Sequence, residues 1–186
     1  NRSFEFDEPL DGWRKPFRQD VDGELIVLDK GGLSESNPHY LRLRLVTRGT
    51  ELTVTNPGFR GIGVEAGAEY VFSAYVRAHA GGPRSVTARL KGDGGKVLAT
   101  AALTGFGGGE WKRYTATMRP ESTAARAELE LAVNETGDVD LDVVSLYPTD
   151  TFRSRPNGLR KDLAQLLADM QPRFLRFPGG CIVEGR

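Results

Sequence analysis

The residues best suited to chemistry lie at the end of the chain, where a short apolar strand runs into a glycine turn. Residues 173–186 read RFLRFPGGCIVEGR, with Arg176 in the strand and Gly179, Gly180 and Cys181 in the turn. Paired glycines allow backbone to approach a ligand closely, and in a (β/α)₈ barrel the carboxyl ends of the strands face the substrate. The pattern therefore predicts a ligand-binding edge at this turn.

Arg176 and Cys181 each have two interpretations. An arginine inside a packed barrel needs partners, so Arg176 either orients a carboxylate or contacts a ligand, or it forms a structural ion pair. A free cysteine is commonly a small buried hydrophobe, so Cys181 either lines a pocket or simply packs. No histidine lies near Cys181 in the sequence, which disfavours covalent catalysis by its thiol.

The segment before this strand is predicted to be a helix. Leucine and methionine recur at helical spacing over 157–170, and Asn157 is a plausible N-cap. The chain therefore ends in one helix–strand unit of barrel type. One such unit cannot bury a parallel strand on both faces, so we expect the rest of the barrel to lie outside these 186 residues.

Residues 24–146 show the alternation that is typical of β-strands. Residues 40–46, for example, read YLRLRLV, with leucine on one face and arginine on the other. About nine such runs, separated by turns rich in glycine, predict a sandwich. They are 24–28, 40–46, 51–55, 70–78, 85–90, 96–102, 111–118, 125–133 and 139–146. We expect a mainly β fold, with a jelly-roll β-sandwich over 1–150 and a partial (β/α)₈ barrel segment over 151–186.

Composition excludes several classes of partner. Lysine and arginine (25) balance aspartate and glutamate (25), and no basic run is interleaved with aromatic residues, so we expect no nucleic acid. No run of 18 apolar residues occurs, so we expect no membrane partner. A neutral ligand such as a sugar fits the charge balance. The chain begins NRSFEF without a methionine, as expected for a piece of a longer protein.

Several motifs along the chain together resemble the α-L-arabinofuranosidases of glycoside hydrolase family 51. They are NRSFEF at 1–6, NPHYLRL at 37–43, GFRGI at 58–62, VSLYPTDTF at 144–152, NGLRKDLAQLLADMQPRFLRFPGGC at 157–181 and IVEG at 182–185. The chain is most similar to a subgroup in which a jelly-roll domain, like carbohydrate-binding modules of families 4 and 9, is inserted into the catalytic barrel. The resemblance implies that the chain starts after barrel strand one and stops after strand two.

The resemblance implies an enzyme that removes terminal arabinofuranosyl residues from arabinan or arabinoxylan with retention of configuration. Retention needs two carboxylates, and in the family both glutamates come from later barrel strands. We therefore expect this fragment to lack both and to be inactive, and no cofactor is required for catalysis. Arg176, Gly179, Gly180 and Cys181 would line the arabinose pocket. Many relatives have asparagine where Cys181 stands, and a thiol is a weaker hydrogen-bond donor.

Two alternatives to the enzyme fragment remain open. The sandwich could bind polysaccharide independently, or it could brace the barrel without binding sugar. The family resemblance also favours a secreted or periplasmic location.

Jelly-roll modules similar to this one often carry a structural calcium ion between the first and last strands. Calcium prefers six to eight oxygen ligands, and the best-placed carboxylates for such an ion are Glu5 and Asp142. Asp140 shares a strand face with Asp142, so one of the two would bind the ion. The other could pair with arginines in solvent.

Aromatic residues in the sandwich could stack on sugars, since aromatic faces pack on sugar C–H groups. The candidates are Trp13, Tyr40, Tyr75, Trp111 and Tyr114. Core closure is the favoured interpretation for Trp13 and Trp111. His39 and His79 lie far apart in the sequence, so we expect ordinary hydrogen-bonding roles and no metal pair.

Overall fold

The computed structural model describes residues 2–15 and 22–174. The chain divides into two units, Asn1–Pro148 and Thr149–Arg186, and each is described by itself. The predicted strand around Arg176 lies outside the described residues.

Ten β-strands form the first unit within the described residues. They are β1 (Gly23–Leu28), β2 (Tyr40–Leu45), β3 (Leu52–Asn56), β4 (Ile62–Val64), β5 (Tyr70–Ala78), β6 (Ser85–Lys91), β7 (Val97–Thr104), β8 (Lys112–Met118), β9 (Ala124–Val133) and β10 (Gly137–Pro148). A short 3₁₀ turn, Asp93–Gly95, precedes β7. All nine predicted strands are present. Strand β4 was not predicted because three residues show too little alternation.

The strands pair antiparallel in two sheets. One sheet has the order β1-β2-β10-β5-β8, and the other has the order β3-β9-β6-β7, with β4 pairing with β9. The alternation in β2 buries Leu41, Leu43 and Leu45 between the sheets and places Arg42 and Arg44 on the opposite face. The mainly β sandwich fold is confirmed, because two alternating sheets bury their apolar faces against each other.

Strand β10 changes register beside β5 between Asp142 and Ser145. Val143 adopts a left-handed backbone conformation at this bulge, with φ of 47°. The backbone N–H of Val144 then donates to the carbonyl oxygen of Arg2 instead of joining the ladder. The bulge thus holds the N-terminal segment beside the last strand, where Phe4 is fully buried.

In the described part of the second unit, residues 149–174, there is a 3₁₀ turn, Phe152–Ser154, and one helix, α1 (Lys161–Asp169). The predicted helix is present but shorter, and the prediction of Asn157 as its N-cap is wrong. Arg160 is the N-cap, because Asn157 has φ of 54° and lies in a turn before it. Among the described residues of this unit, most large apolar side chains are exposed, for example Leu163, Leu166 and Phe174. In the described part of the chain, no helix has both the length and the hydropathy to cross a bilayer.

Truncating Phe72 should destabilise the sandwich strongly, because this side chain is fully buried between the sheets. We expect Phe72→Ala to lower the free energy of unfolding by about 3–5 kcal/mol. Phe59→Ala is the matched control, since Phe59 is 90% exposed. Urea unfolding followed by tryptophan fluorescence measures both changes, and equal losses would contradict the assigned core.

Candidate functional site

The sequence-predicted site at the end of the chain lies outside the described residues. Arg176, Gly179, Gly180 and Cys181 all fall in 175–186, so their role as pocket lining stays a prediction. The described residues contain three other features that could bind a ligand or an ion. These are a buried charge cluster, a carboxylate pair and a groove at one end of the sandwich.

The charge cluster centres on Asp140, which is fully buried on the outward face of β10. Its Oδ1 accepts a hydrogen bond of 2.7 Å from Nε of Arg42, and its Oδ2 accepts one of 2.8 Å from Nη2 of Arg77. The Nε2 atom of His79 lies 2.8 Å from the same Oδ2. Burial would raise the pKa of Asp140, but the hydrogen bonds from Arg42, His79 and Arg77 outweigh it and keep the pKa below its usual value. Asp140 is therefore ionised, and its hydrogen bonds link β10 to both neighbouring strands, β2 and β5.

The register explains why these side chains meet. Asp140 pairs directly with Arg42 on β2 and with Arg77 on β5. The prediction that one of Asp140 and Asp142 pairs with arginines is confirmed for Asp140. Its expected exposure is wrong, because the guanidinium groups on both neighbouring strands cover the carboxylate.

Two aromatic rings lie beside this cluster. The guanidinium carbon of Arg77 is 4.7 Å from the ring centroids of both Tyr40 and Trp111. Trp111 Nε1 donates to the carbonyl oxygen of Gly31 at 2.9 Å, and the Tyr40 hydroxyl donates to that of Lys30. These bonds fasten the turn before β2 to the sheet. Trp111 therefore packs on the outer face, and its predicted place in closing the core is wrong.

Trp13 follows the prediction made for it. It is 7% exposed and packs against Phe4, with the ring centroids 5.7 Å apart. Its role in closing the core is confirmed, because both rings belong to the buried cluster between the sheets.

The carboxylate pair consists of Glu5 and Asp142, the two residues predicted to bind calcium. Asp142 is fully buried, and it accepts hydrogen bonds from Asn37 Nδ2 at 2.7 Å and from the backbone N–H of Val143. Burial, with a smaller contribution from the nearby charge of Glu5, raises the pKa of Asp142 to about 7 despite these two bonds and the nearby charge of Arg2. Glu5 accepts hydrogen bonds from the backbone and ring of His39. Among the described residues Asp142 forms no ion pair, and the charge of Arg2 only partly offsets its burial. A buried carboxyl near a second carboxylate suits a cation.

The donor set of this pair is small for calcium. Among residues 2–15 and 22–174, no group of three or more His, Cys, Asp or Glu side chains is placed to hold a metal ion. An ion at Glu5 and Asp142 would therefore take its remaining ligands from carbonyl oxygens and water.

The groove lies where four turns meet at one end of the sandwich, and we call it the end groove. It has a volume of about 780 Å³. Its lining comes from the β2–β3, β5–β6 and β9–β10 turns and from the β7–β8 loop. Residues that contribute to it include Arg48, His79, Arg84, Phe106, Asn134 and Glu135.

Close backbone packing shapes the wall of the end groove. A Cβ atom at Gly82 would lie 2.3 Å from the carbonyl oxygen of Asp138, and one at Gly137 would lie 2.7 Å from the Gly82 Cα. Gly137 also has φ of 109°, which side-chain-bearing residues rarely adopt. Sequence patterns assigned Gly81 and Gly82 only to a turn, because nothing in a single sequence shows that distant turns meet.

The raised pKa of Asp142 predicts a pH dependence of stability in metal-free buffer containing EDTA. The folded state holds a proton on Asp142 up to about pH 7, whereas the unfolded state loses it near 3.8. Stability from this group is therefore greatest below about pH 4 and declines as the pH rises to 7, by at most on the order of 4 kcal/mol.

Asp142→Asn isolates this contribution, because asparagine cannot titrate. As the pH rises from 4 to 7, urea unfolding should show the variant gaining stability relative to the wild type. A stability difference that stays constant across this range would contradict the assignment. Asp93→Asn, at an exposed position, serves as the control and should show no such trend.

Two antiparallel sheets with an open groove among the end turns are the architecture of β-sandwich binding modules. A sequence model described as "Carbohydrate binding domain" matches residues 1–138, and the chain belongs to this family.

Curated relatives extend the likeness beyond this domain. The chain is 43% identical over 192 residues to an extracellular exo-α-L-arabinofuranosidase of Streptomyces chartreusis, covering 99% of this chain and 21% of that protein. It is 31% identical to α-L-arabinofuranosidase 1 of Arabidopsis thaliana, covering 100% of this chain and 28% of the relative. These matches confirm the resemblance to α-L-arabinofuranosidases that the motifs indicated. The chain spans less than a third of either relative.

Solved structures show the same architecture. The arabinose-bound MgGH51 α-L-arabinofuranosidase superposes with a TM-score of 0.81 at 28% identity, covering 96% of this chain and 30% of that one. A structure titled "CBM4 structure and function" gives a TM-score of 0.53 at 14% identity and covers 77% of this chain and 99% of its own. The second match shows the fold alone.

Proposed function

We propose that the chain is part of a retaining α-L-arabinofuranosidase that removes terminal arabinofuranosyl residues from arabinan or arabinoxylan. The observation that carries this proposal is a likeness along nearly the whole chain, 99% of which aligns with an enzyme of that name. The catalytic glutamates belong to later barrel strands, so the 186-residue chain is inactive by itself. No cofactor takes part in the hydrolysis.

In this proposal the second unit, Thr149–Arg186, which we also call the terminal unit, contributes to the arabinose pocket. Arg176 contacts the sugar or orients a catalytic carboxylate, and the backbone at Gly179 and Gly180 lies close to the ring. Cys181 lines the same pocket. The partners are an arabinose-containing polysaccharide and the rest of the barrel. A secreted or periplasmic location is supported by the relative named extracellular.

Hydrolysis of p-nitrophenyl α-L-arabinofuranoside tests the enzyme proposal. We expect no hydrolysis by the 186-residue chain and clear hydrolysis by the longer protein that its gene encodes, extended at both ends to complete the barrel. In that longer protein, Arg176→Ala should lower kcat/KM at least about tenfold, because a charge-assisted hydrogen bond is lost.

The control for Arg176→Ala is Arg126→Ala, which removes an exposed arginine from β9. It should leave kcat/KM unchanged. Arabinofuranosidase activity of the 186-residue chain alone, or a gene that stops at Arg186, would contradict the proposal.

A second function is favoured by the family match over residues 1–138 and by the end groove. In it the sandwich binds polysaccharide independently of catalysis and holds the enzyme near its substrate. If the sandwich only braces the barrel, it binds no sugar.

We also propose a structural calcium ion held by Glu5 and Asp142. The ion would neutralise the buried Asp142 carboxyl and tie the N-terminal segment to the bulge of β10. Calcium at about one hundred times its dissociation constant should raise the Tm of the chain by roughly 5–10 °C.

Differential scanning calorimetry with calcium and then with excess EDTA measures this shift. Asp142→Asn should abolish it, whereas Asp93→Asn should retain it. A Tm that is indifferent to calcium in the wild-type chain would eliminate the site.

A further inference from the structure

The end groove has the volume and the apolar lining expected of a ligand site. Its volume of about 780 Å³ falls within the range of roughly 300–1,000 Å³ that is typical of small-molecule sites. Phe106 lies in its lining, and the Tyr114 ring meets the Phe106 ring edge-on with centroids 5.0 Å apart. Pro83 and Ala78 add further apolar surface. An aromatic ring held in place among apolar neighbours can pack against the C–H face of a sugar.

The rim of the groove carries more positive than negative charge. Arg48 and Arg84 are both exposed, and within residues 2–15 and 22–174 neither guanidinium group has an ion pair or a hydrogen bond. The acid on the rim is Glu135, whose Oε1 accepts a hydrogen bond from the backbone N–H of Arg84 at 3.2 Å. Two guanidinium groups are therefore available to a ligand, although the whole chain has a formal net charge of zero.

His79 joins the groove to the buried charge cluster. Its Nε2 atom is occupied by Asp140 at 2.8 Å and lies 3.1 Å from Nη2 of Arg42. Among the described residues, Nδ1 of His79 has no hydrogen-bond partner. The Asp140 carboxylate thus holds the His79 ring in place through Nε2, while Nδ1 remains available to a ligand in the groove.

We propose that the end groove binds an acidic saccharide, in which one sugar unit carries a carboxylate. The sugar face lies on Phe106, and the carboxylate accepts hydrogen bonds from Arg48 and Arg84, whose planar guanidinium groups match carboxylate geometry. His79 binds a sugar hydroxyl through Nδ1. The inference rests on the proposed polysaccharide-binding role of the sandwich and adds both the location of the site and the class of ligand.

Isothermal titration calorimetry of the 186-residue chain tests this at low ionic strength. The probes are trigalacturonic acid and, as a neutral ligand of equal length, arabinotriose. We expect trigalacturonic acid to bind at least about tenfold more tightly, and its affinity to fall as salt is added, because the contacts are partly electrostatic. Equal affinity for the two probes, or a preference for arabinotriose, would overturn the acidic ligand class.

Two variants locate the binding. Arg48→Ala and Arg84→Ala should each weaken trigalacturonic acid binding about tenfold, because each removes a charge-assisted hydrogen bond. Arg126→Ala makes the same change of charge on β9, outside the groove, and should bind like the wild type. Urea unfolding confirms that all three variants fold. Loss of affinity in Arg126→Ala equal to that in the groove variants would overturn the assignment.

The outcome is separable from that of the enzyme proposal. Absence of heat with either saccharide at millimolar concentration would overturn the end groove as a sugar site. Hydrolysis by the longer protein would be unaffected by that result, because the arabinose pocket belongs to the terminal unit and the barrel.

Discussion

The buried carboxylate of Asp140 is the constraint on which the outward face of the sandwich depends. Arg42 from β2, Arg77 from β5 and His79 just after β5 all converge on this one side chain of β10. Loss of one partner from a buried ion pair typically costs about 3–5 kcal/mol, because the remaining charge is left without compensation. The same contacts orient the Arg77 guanidinium beside Tyr40 and Trp111 and hold His79 at the end groove.

Asp140 and Asp142 show how strongly the surroundings decide the behaviour of one residue type. They lie two residues apart on the same face of β10, and both are fully buried. Cationic partners hold the pKa of Asp140 below its usual value, whereas burial raises the pKa of Asp142 to about 7, with Asn37 and a backbone N–H as its donors. Of these two carboxylates, Asp140 is paired with cationic side chains, whereas Asp142 forms no ion pair in the described part of the chain and the nearby charge of Arg2 only partly offsets its burial.

Two regions of the chain are candidates for sugar binding, one in the sandwich and one near the end of the chain. The carbohydrate-binding family covers 1–138, whereas the likeness to α-L-arabinofuranosidases extends through the terminal unit. The end groove is lined by turns of the sandwich and by the last residue of β5, and the predicted arabinose pocket belongs to the segment around Arg176. The two proposed sugar contacts therefore lie in different parts of the chain and can be tested separately.

The sequence by itself determined the sandwich, its strands and the family, because alternation along a strand and the terminal RFPGG motif are local patterns. It also identified Glu5 and Asp142 as neighbours through the resemblance. It missed β4, the start of α1 and the outward position of Trp111, where short length, a left-handed Asn157 and contacts from a distant turn decided the outcome. Only the tertiary structure buried Asp140 and assembled the end groove, because both depend on residues that are far apart in the chain.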